Sequence, residues 1–282
     1  MGTAGIGGMM AFGPSLLEKL KNLFPVVDEK MPALFIGHGN PMNAILDNPF
    51  TRTLSHIGKT VPEPKAILVV SAHWLTRGTW ISSAEKPDTI YDFGGFPDEM
   101  YQQKYPAPGS PELAALAATL LPNSQLDPKM GLDHGSWTIL KHLYPAAAIP
   151  VFQVSIDWSQ KENYHLEFAK HLSELRNRGI LIIGSGNIVH NLGKVSWEEN
   201  AKPFDWAVEF DEKVKSIIEK RDFSTLSHYA DWGMMGKLAV PSNDHYLPLM
   251  YTLGVTETSD EISFPFEEIQ NGSIAMRCVL VG

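Results

Sequence analysis

Ala66-Ile67-Leu68-Val69-Val70 runs without a polar break into Ser71-Ala72-His73-Trp74. A short apolar run rich in β-branched residues, with no polar alternation, suits a strand covered on both faces of a sheet. In an α/β fold, the residues just past such a strand lie on the rim formed by the carboxyl ends of the strands, where sites are built. Ala33 to Ile36 repeats the pattern and opens into Gly37-His38-Gly39-Asn40-Pro41-Met42. Ile180 to Ile183 leads through Gly184-Ser185-Gly186-Asn187-Ile188-Val189 to His190, and Val151 to Ile156 is a further run of the same kind.

Helical patterns separate these runs. Ser110-Pro111-Glu112 reads as an N-cap with proline at the first helical position, opening Leu113 to Leu121. Asn163 to Arg178 is amphipathic and stops at Gly179, a residue suited to a left-handed helix end. Asp205 to Arg221 mixes Trp206, Val208, Phe210, Val214 and Ile217 with charges, so one face covers the sheet. Leu247 to Leu253 is helical only if Pro248 lies in its first turn. Ile262 to Phe266 and Ile274 to Val281 read as closing strands, at an edge or antiparallel. The expected fold is a single α/β domain over residues 31–282, with a mostly parallel or mixed central sheet and helices on both faces. Residues 1–30 read as an N-terminal tail and a short helix from about Ser15 to Phe24.

The ten histidines divide by position. His38, His73 and His190 each come after an apolar strand run, and agreement among three separate segments raises a ligand role above that of a simple turn histidine. Neutral imidazole is the commonest metal ligand among side chains, so the pattern points to a metal centre. His134 in Asp133-His134-Gly135-Ser136-Trp137 and His245 in Asn243-Asp244-His245-Tyr246 each succeed an aspartate. Either could be a loop histidine tied to that carboxylate, or an acid or base beside the metal. His56, His142, His165, His171 and His228 fall in helical or helix-flanking patterns among polar residues and read as solvated or hydrogen-bonded side chains.

Other site chemistries find no support. Gly184-Ser185-Gly186 lacks the first glycine of a nucleophile elbow, since Ile183 stands there, and Val189 replaces the third glycine of a dinucleotide fingerprint. Cys278 is the only cysteine, which excludes an intrachain disulfide and thiolate metal clusters and fits a reducing cytoplasm. A net charge of −9 offers no field for nucleic acid or anionic lipid. No apolar run reaches the roughly 18–20 residues that span a bilayer, and no charged segment opens a signal peptide. Small molecules are the expected partners. Thr89 to Gly109 combines glycines and prolines with Tyr91, Phe93, Phe96, Tyr101 and Tyr105; it reads either as one wall of an apolar pocket or as a loop whose rings pack on one another.

The motifs Gly37-His38-Gly39-Asn40-Pro41-Met42, Ser71-Ala72-His73-Trp74, Tyr91-Asp92-Phe93-Gly94-Gly95-Phe96-Pro97, Tyr105-Pro106-Ala107-Pro108-Gly109, Asp133-His134-Gly135-Ser136-Trp137, Gly184-Ser185-Gly186-Asn187 and His245-Tyr246-Leu247-Pro248 occur in order. Together they resemble the class III extradiol ring-cleavage dioxygenases related to the LigB subunit, and most closely the 4,5-DOPA dioxygenase extradiol group. The resemblance spans nearly all of Met31 to Gly282. It implies a non-haem divalent metal on the rim, with Fe(II) for activity and Zn(II) as an occupant of purified protein. Carried over position by position, it makes His38, His73, His190 and His245 metal ligands, His245 standing at or beside the metal, and His134 the acid/base. The substrates it implies are a DOPA-like catechol and O2. Two other readings stay open on the sequence, a zinc-dependent hydrolase on the same residues and a non-catalytic Memo-like binding protein.

Overall fold

A six-stranded sheet forms the centre of the computed structural model, which describes residues 18, 21–198 and 201–282. Its strands are β1 (Ala33–Gly37), β2 (Ala66–Ser71), β3 (Val151–Gln153), β4 (Ile180–Gly186), β5 (Ile262–Phe266) and β6 (Cys278–Val281). The spatial order is β3-β2-β4-β1-β6-β5. The first four of that order are parallel, whereas β6 runs antiparallel to β1, and β5 antiparallel to β6. The mixed single-domain sheet expected from the sequence is therefore what forms, with the closing strands antiparallel at one edge. The expected tail and most of the short helix before Phe24 lie outside the described residues.

Alternation along each strand makes two cores. Leu34, Ile36, Ile67, Val69, Leu181 and Ile183 face helices α1 (Pro49–Thr60) and α3 (His134–Leu143). Ala33, Phe35, Ala66, Leu68, Val70, Ile180 and Ile182 face α2 (Pro111–Leu120), α4 (Glu162–Ala169), α5 (Asp205–Glu219) and α6 (Leu247–Gly254). Helix α1 has a local cause that periodicity alone does not reveal. Asn48 and Thr51 exchange hydrogen bonds as a capping box, and Pro49 takes the first helical position. Pro248 does lie in the first turn of α6.

Three segments are more broken than their apolar patterns imply. Val151 to Ile156 splits into β3 and a two-residue strand, Ile156–Asp157, that pairs with Leu75–Thr76 instead of continuing in the main sheet. The pattern from Asn163 to Arg178 is interrupted by a 3-10 turn at Lys170–Leu172, although Gly179 adopts the left-handed conformation at its end, φ 82°. Ile274 to Val281 divides into Ile274–Ala275 and β6. The Thr89 to Gly109 segment holds a short helix, Asp98–Gln102. No helix among the described residues is long and apolar enough to cross a membrane.

Candidate active site

The carboxyl ends of β1, β2 and β4 supply the platform. Strand β4 lies between the other two, and Ser185 stands in register with Ile36 on one side and Ser71 on the other. His38 leaves β1 one residue later, on a turn that Gly39 completes at φ 61°, a conformation costly for residues with a Cβ. Its backbone N–H donates to Gly186 O at 3.0 Å. His73 leaves β2 on the other side of β4, and the backbone N–H of Ala72 donates to Ser185 O at 2.9 Å.

Strand alternation also explains the Gly184-Ser185-Gly186 motif. Ser185 points toward α3, where its hydroxyl donates to Gly135 O at 2.5 Å. Gly186 points the opposite way, where a Cβ would lie 2.1 Å from His245 O. The glycine lets the Asn243–Tyr246 turn press directly on the strand, and Asn187 N–H donates to His245 O at 2.8 Å. That contact brings His245, distant in sequence, onto the rim.

Five imidazoles gather there. Ring centroids of His38 and His73 are 5.0 Å apart, of His38 and His245 5.3 Å, and of His73 and His245 4.9 Å. Each of these three offers a nitrogen within 4.8 Å of the other two's. His190 lies flat against His245, centroids 3.5 Å apart and planes 6° from parallel. It stands beside the three rather than among them. His134, the first residue of α3, has its ring centroid 3.8 Å from that of His73 and 5.6 Å from that of His38. The fold gathers all five rim histidines, but the group of mutually close nitrogens is His38, His73 and His245, where the sequence pattern sets His190 with His38 and His73.

Hydrogen bonding fixes which nitrogen faces inward for His38 and His245. The Ser185 proton goes to Gly135 O, so its oxygen accepts from Nδ1–H of His38 at 3.0 Å and leaves Nε2 of His38 as a bare lone pair. Nδ1 of His245 donates to Asp244 Oδ2 at 2.5 Å, which again leaves Nε2 free. Nδ1 of His73 faces Asp92 Oδ2 at 3.6 Å, and its Nε2 stands 3.1 Å from Nε2 of His38. Two lone pairs at that separation repel unless a cation or a proton lies between them. With metal–nitrogen bonds near 2.1 Å, adjacent ligand nitrogens on one ion sit roughly 3.0–3.4 Å apart. The donor set fits a divalent metal, and the acceptors on the outer nitrogens are the partners that orient metal-bound imidazoles.

The electrostatics agree. Burial, together with repulsion from His73, His245 and His134, holds His38 well below the usual imidazole range. His73 is lowered by burial and by His134 and His245, with Asp92 opposing, and His190 is lowered to about 3 by burial and His245. These imidazoles are neutral at neutral pH, the form that ligates. Burial alone would raise the Asp92 and Asp244 carboxyls. Hydrogen bonds from the His134 backbone N–H to Asp92 and from the His245 ring to Asp244 outweigh it and keep both carboxyls below their usual range.

Asp92 is the site residue that sequence reasoning misses, since in the irregular loop it reads as one of several turn formers. Its Oδ1 accepts the backbone N–H of His134 at 2.9 Å, and its Oδ2 stands 3.0 Å from Nδ1 of His134. With His73 and His134 it makes a second group of donor atoms within 4.8 Å of one another. The available signal is a lone carboxylate set between Tyr91 and Phe93 in a glycine-flanked loop. Ser185 reads in the sequence only as a nucleophile that fails its motif, whereas in the fold it accepts a proton from a ring. Of the two readings of the aromatic loop, the contacts show the one in which its rings pack on one another. Tyr91, Phe93, Phe96 and Tyr101 pack on one another, and Phe93 meets His134 edge to face at 5.6 Å. His165 takes the hydrogen-bonded alternative of its sequence reading: it is fully buried, with Nδ1 3.1 Å from the Tyr251 hydroxyl.

Residues 32–275 match the family described as the catalytic LigB subunit of aromatic ring-opening dioxygenase. The 4,5-DOPA dioxygenase extradiol of Escherichia coli (strain K12) is 45% identical over 259 residues, spanning 90% of this chain and 95% of that protein. That of Beta vulgaris is 38% identical, spanning 80% of this chain and 87% of its own. Dioxygenase tasH of Hapsidospora irregularis is 28% identical, with 84% and 82% covered. The crystal structure of the uncharacterized protein JW3007 from Escherichia coli K12 superposes with a TM-score of 0.80 at 42% identity, covering 90% of this chain and 100% of that one.

Proposed function

The chain belongs to the family of the catalytic LigB subunit of aromatic ring-opening dioxygenases, and on that premise we propose that this class III extradiol enzyme cleaves a DOPA-like catechol with O2 at a non-haem Fe(II). His38, His73 and His245 are the ligands in this reading, with His190 completing or supporting the set, and His134 is the acid/base. The observation that carries it is the approach of Nε2 of His38 to Nε2 of His73 at 3.1 Å, with each Nδ1 turned outward to an oxygen. A bound redox-active metal with few protein ligands supplies open positions where a catechol and O2 are brought together and electrons pass between them.

The chain's own residues do the rest. His134 takes the proton of a catechol hydroxyl at Nε2, because its Nδ1 faces Asp92, and returns it to an oxygen of the opening ring. Burial of His38, His134 and His245 keeps bulk water from competing for those protons. Phe93, edge to face with His134, sets an aromatic ring beside the acid/base, which suits a planar substrate. Ser185 and Asp244 hold the ligands in one tautomer before any substrate arrives.

The test is anaerobic loading with Fe(II), then catechols including DOPA, then O2. The expected result is O2 uptake with a coloured ring-opened product. The zinc-loaded protein should give none, since zinc has no redox chemistry to offer O2. His134→Ala should lower kcat by about 10²–10⁴-fold while metal still binds. No turnover across a broad catechol panel with stoichiometric Fe(II) bound would end the proposal.

A further inference from the structure

Segments 88–92 and 131–134 run side by side. Leu132 N–H donates to Asp88 O at 2.7 Å, Ile90 N–H donates to Leu132 O at 2.8 Å, and the Trp137 indole N–H donates to Ile90 O at 2.9 Å. The Tyr91 hydroxyl donates to Gln103 O at 2.6 Å and fixes the loop from its far end. The loop thereby delivers one carboxylate to the start of α3. Asp92 Oδ1 accepts the His134 backbone N–H, so the carboxylate is anchored whatever the ring does.

The imidazole is less settled. Nδ1 of His134 is buried without an aligned hydrogen bond, although Asp92 Oδ2 stands only 3.0 Å away. A small rotation of the ring aligns it, and catalytic hydrogen bonds commonly tighten only when substrate is bound. The same Oδ2 is 3.6 Å from Nδ1 of His73, beyond hydrogen-bond length but close enough to favour a proton on that nitrogen.

We infer that Asp92 is a positioning residue that holds His134, and more weakly His73, in the tautomer with the proton on Nδ1, so that one carboxylate keeps Nε2 of both rings free. The inference rests on the reading of His73 as a ligand and His134 as the acid/base. It places the metal seat and the proton-transfer group under common control. Loss of the carboxylate frees His134 to carry its proton on Nε2, where it cannot accept one from substrate, and removes an electrostatic orienter from His73. Phe93 is next in the chain, so the aromatic contact on His134 and the orienting carboxylate arrive together.

The experiment compares wild type with Asp92→Asn and Asp92→Ala, each checked for folding by thermal unfolding. Asp92→Asn keeps an oxygen for the His134 backbone N–H and is the variant that stays interpretable if the alanine variant fails to fold. Imidazole 15N shifts in the zinc-loaded protein report the His134 tautomer, and chelator competition reports zinc affinity. In wild type His134 should carry its proton on Nδ1. In Asp92→Asn that tautomer should become a minor or mixed species, and zinc affinity should fall about 10-fold. With Fe(II), kcat should fall about 100-fold with KM within about 3-fold, since the loss is of proton transfer rather than of substrate contact. A wild-type His134 protonated on Nε2, or an Asp92→Asn protein with unchanged tautomer and zinc affinity, overturns the inference. If wild type turns over no catechol, the ring-cleavage reading fails, and the tautomer and zinc measurements still decide the role of Asp92.

Discussion

Ser185→Ala separates orientation of a ligand from simple packing. Ser185 is fully buried and its hydroxyl makes two bonds, donating to Gly135 O at 2.5 Å and accepting from Nδ1 of His38 at 3.0 Å. Alanine removes one oxygen and leaves the buried Nδ1–H of His38 without an acceptor, whereas Gly135 O keeps its place in the α3 backbone ladder. One such unpaired group costs about 1–3 kcal/mol. That loss should appear as a lower urea midpoint in the metal-free protein. A second effect is specific to the metal. Without an acceptor, the His38 ring can rotate or carry its proton on Nε2, and loss of such an orienting partner typically weakens metal binding about 10–100-fold. Chelator competition with zinc measures it directly. Reduced stability with unchanged zinc affinity would make Ser185 a packing residue and refute the tautomer argument for His38.

His165 gives the pH dependence a clean probe away from the rim. Burial, opposed by Asp157 and Glu162, lowers it to about 4 from an ordinary 6.5. The unfolded chain therefore binds a proton that the folded one refuses between those pH values, and stability falls on acidification from 6.5, by about 2 kcal/mol at pH 5. His165→Asn should flatten that part of the urea-midpoint profile; an unchanged profile would show that His165 does not control it. Gly186→Ala places a Cβ 2.1 Å from His245 O and should displace the Asn243–Tyr246 turn, lowering zinc affinity at least about 10-fold in the same competition assay. Arg277 is buried against Asp211, its Nη2 2.6 Å from Oδ2. Arg277→Ala leaves that carboxylate unpaired and should cost about 3–5 kcal/mol in urea unfolding, whereas replacing both partners with apolar residues should cost far less.

The sheet is legible because strands covered on both faces write themselves as uninterrupted apolar runs. β1, β2 and β4 each appear in the sequence as such a run with a histidine after it. What periodicity misses is written in capping and register. Helix α3 begins on the site histidine itself, with Asp133 as its cap, so a helix start looks like a loop. The contacts of Ser185 to Gly135 and of Asp92 to His134 join residues 50 and 42 positions apart, and no local pattern encodes such pairs. The glycines of Gly184-Ser185-Gly186 are visible, but their purpose depends on which face of β4 each one occupies. Only the fold decides that.

The acceptors behind the inner imidazoles differ in charge, and that difference ranks the ligands. His38 is backed by a neutral hydroxyl at 3.0 Å, and His245 by a carboxylate at 2.5 Å that stays ionised. Charge-assisted hydrogen bonds are roughly twice as strong as neutral ones, and an anionic acceptor makes the ring a better donor to a metal. Asp244 and Asp92 also place two negative charges one ring away from the proposed seat of a dication. Asp244→Asn should therefore cost more zinc affinity than Ser185→Ala, toward the upper end of the roughly 10–100-fold range against its lower end. It should do so without the stability loss expected of Ser185→Ala, because an amide can still meet the His245 ring. Parallel competition titrations on the two variants decide it: equal or reversed losses would mean that the charge behind each ring does not set its strength as a ligand.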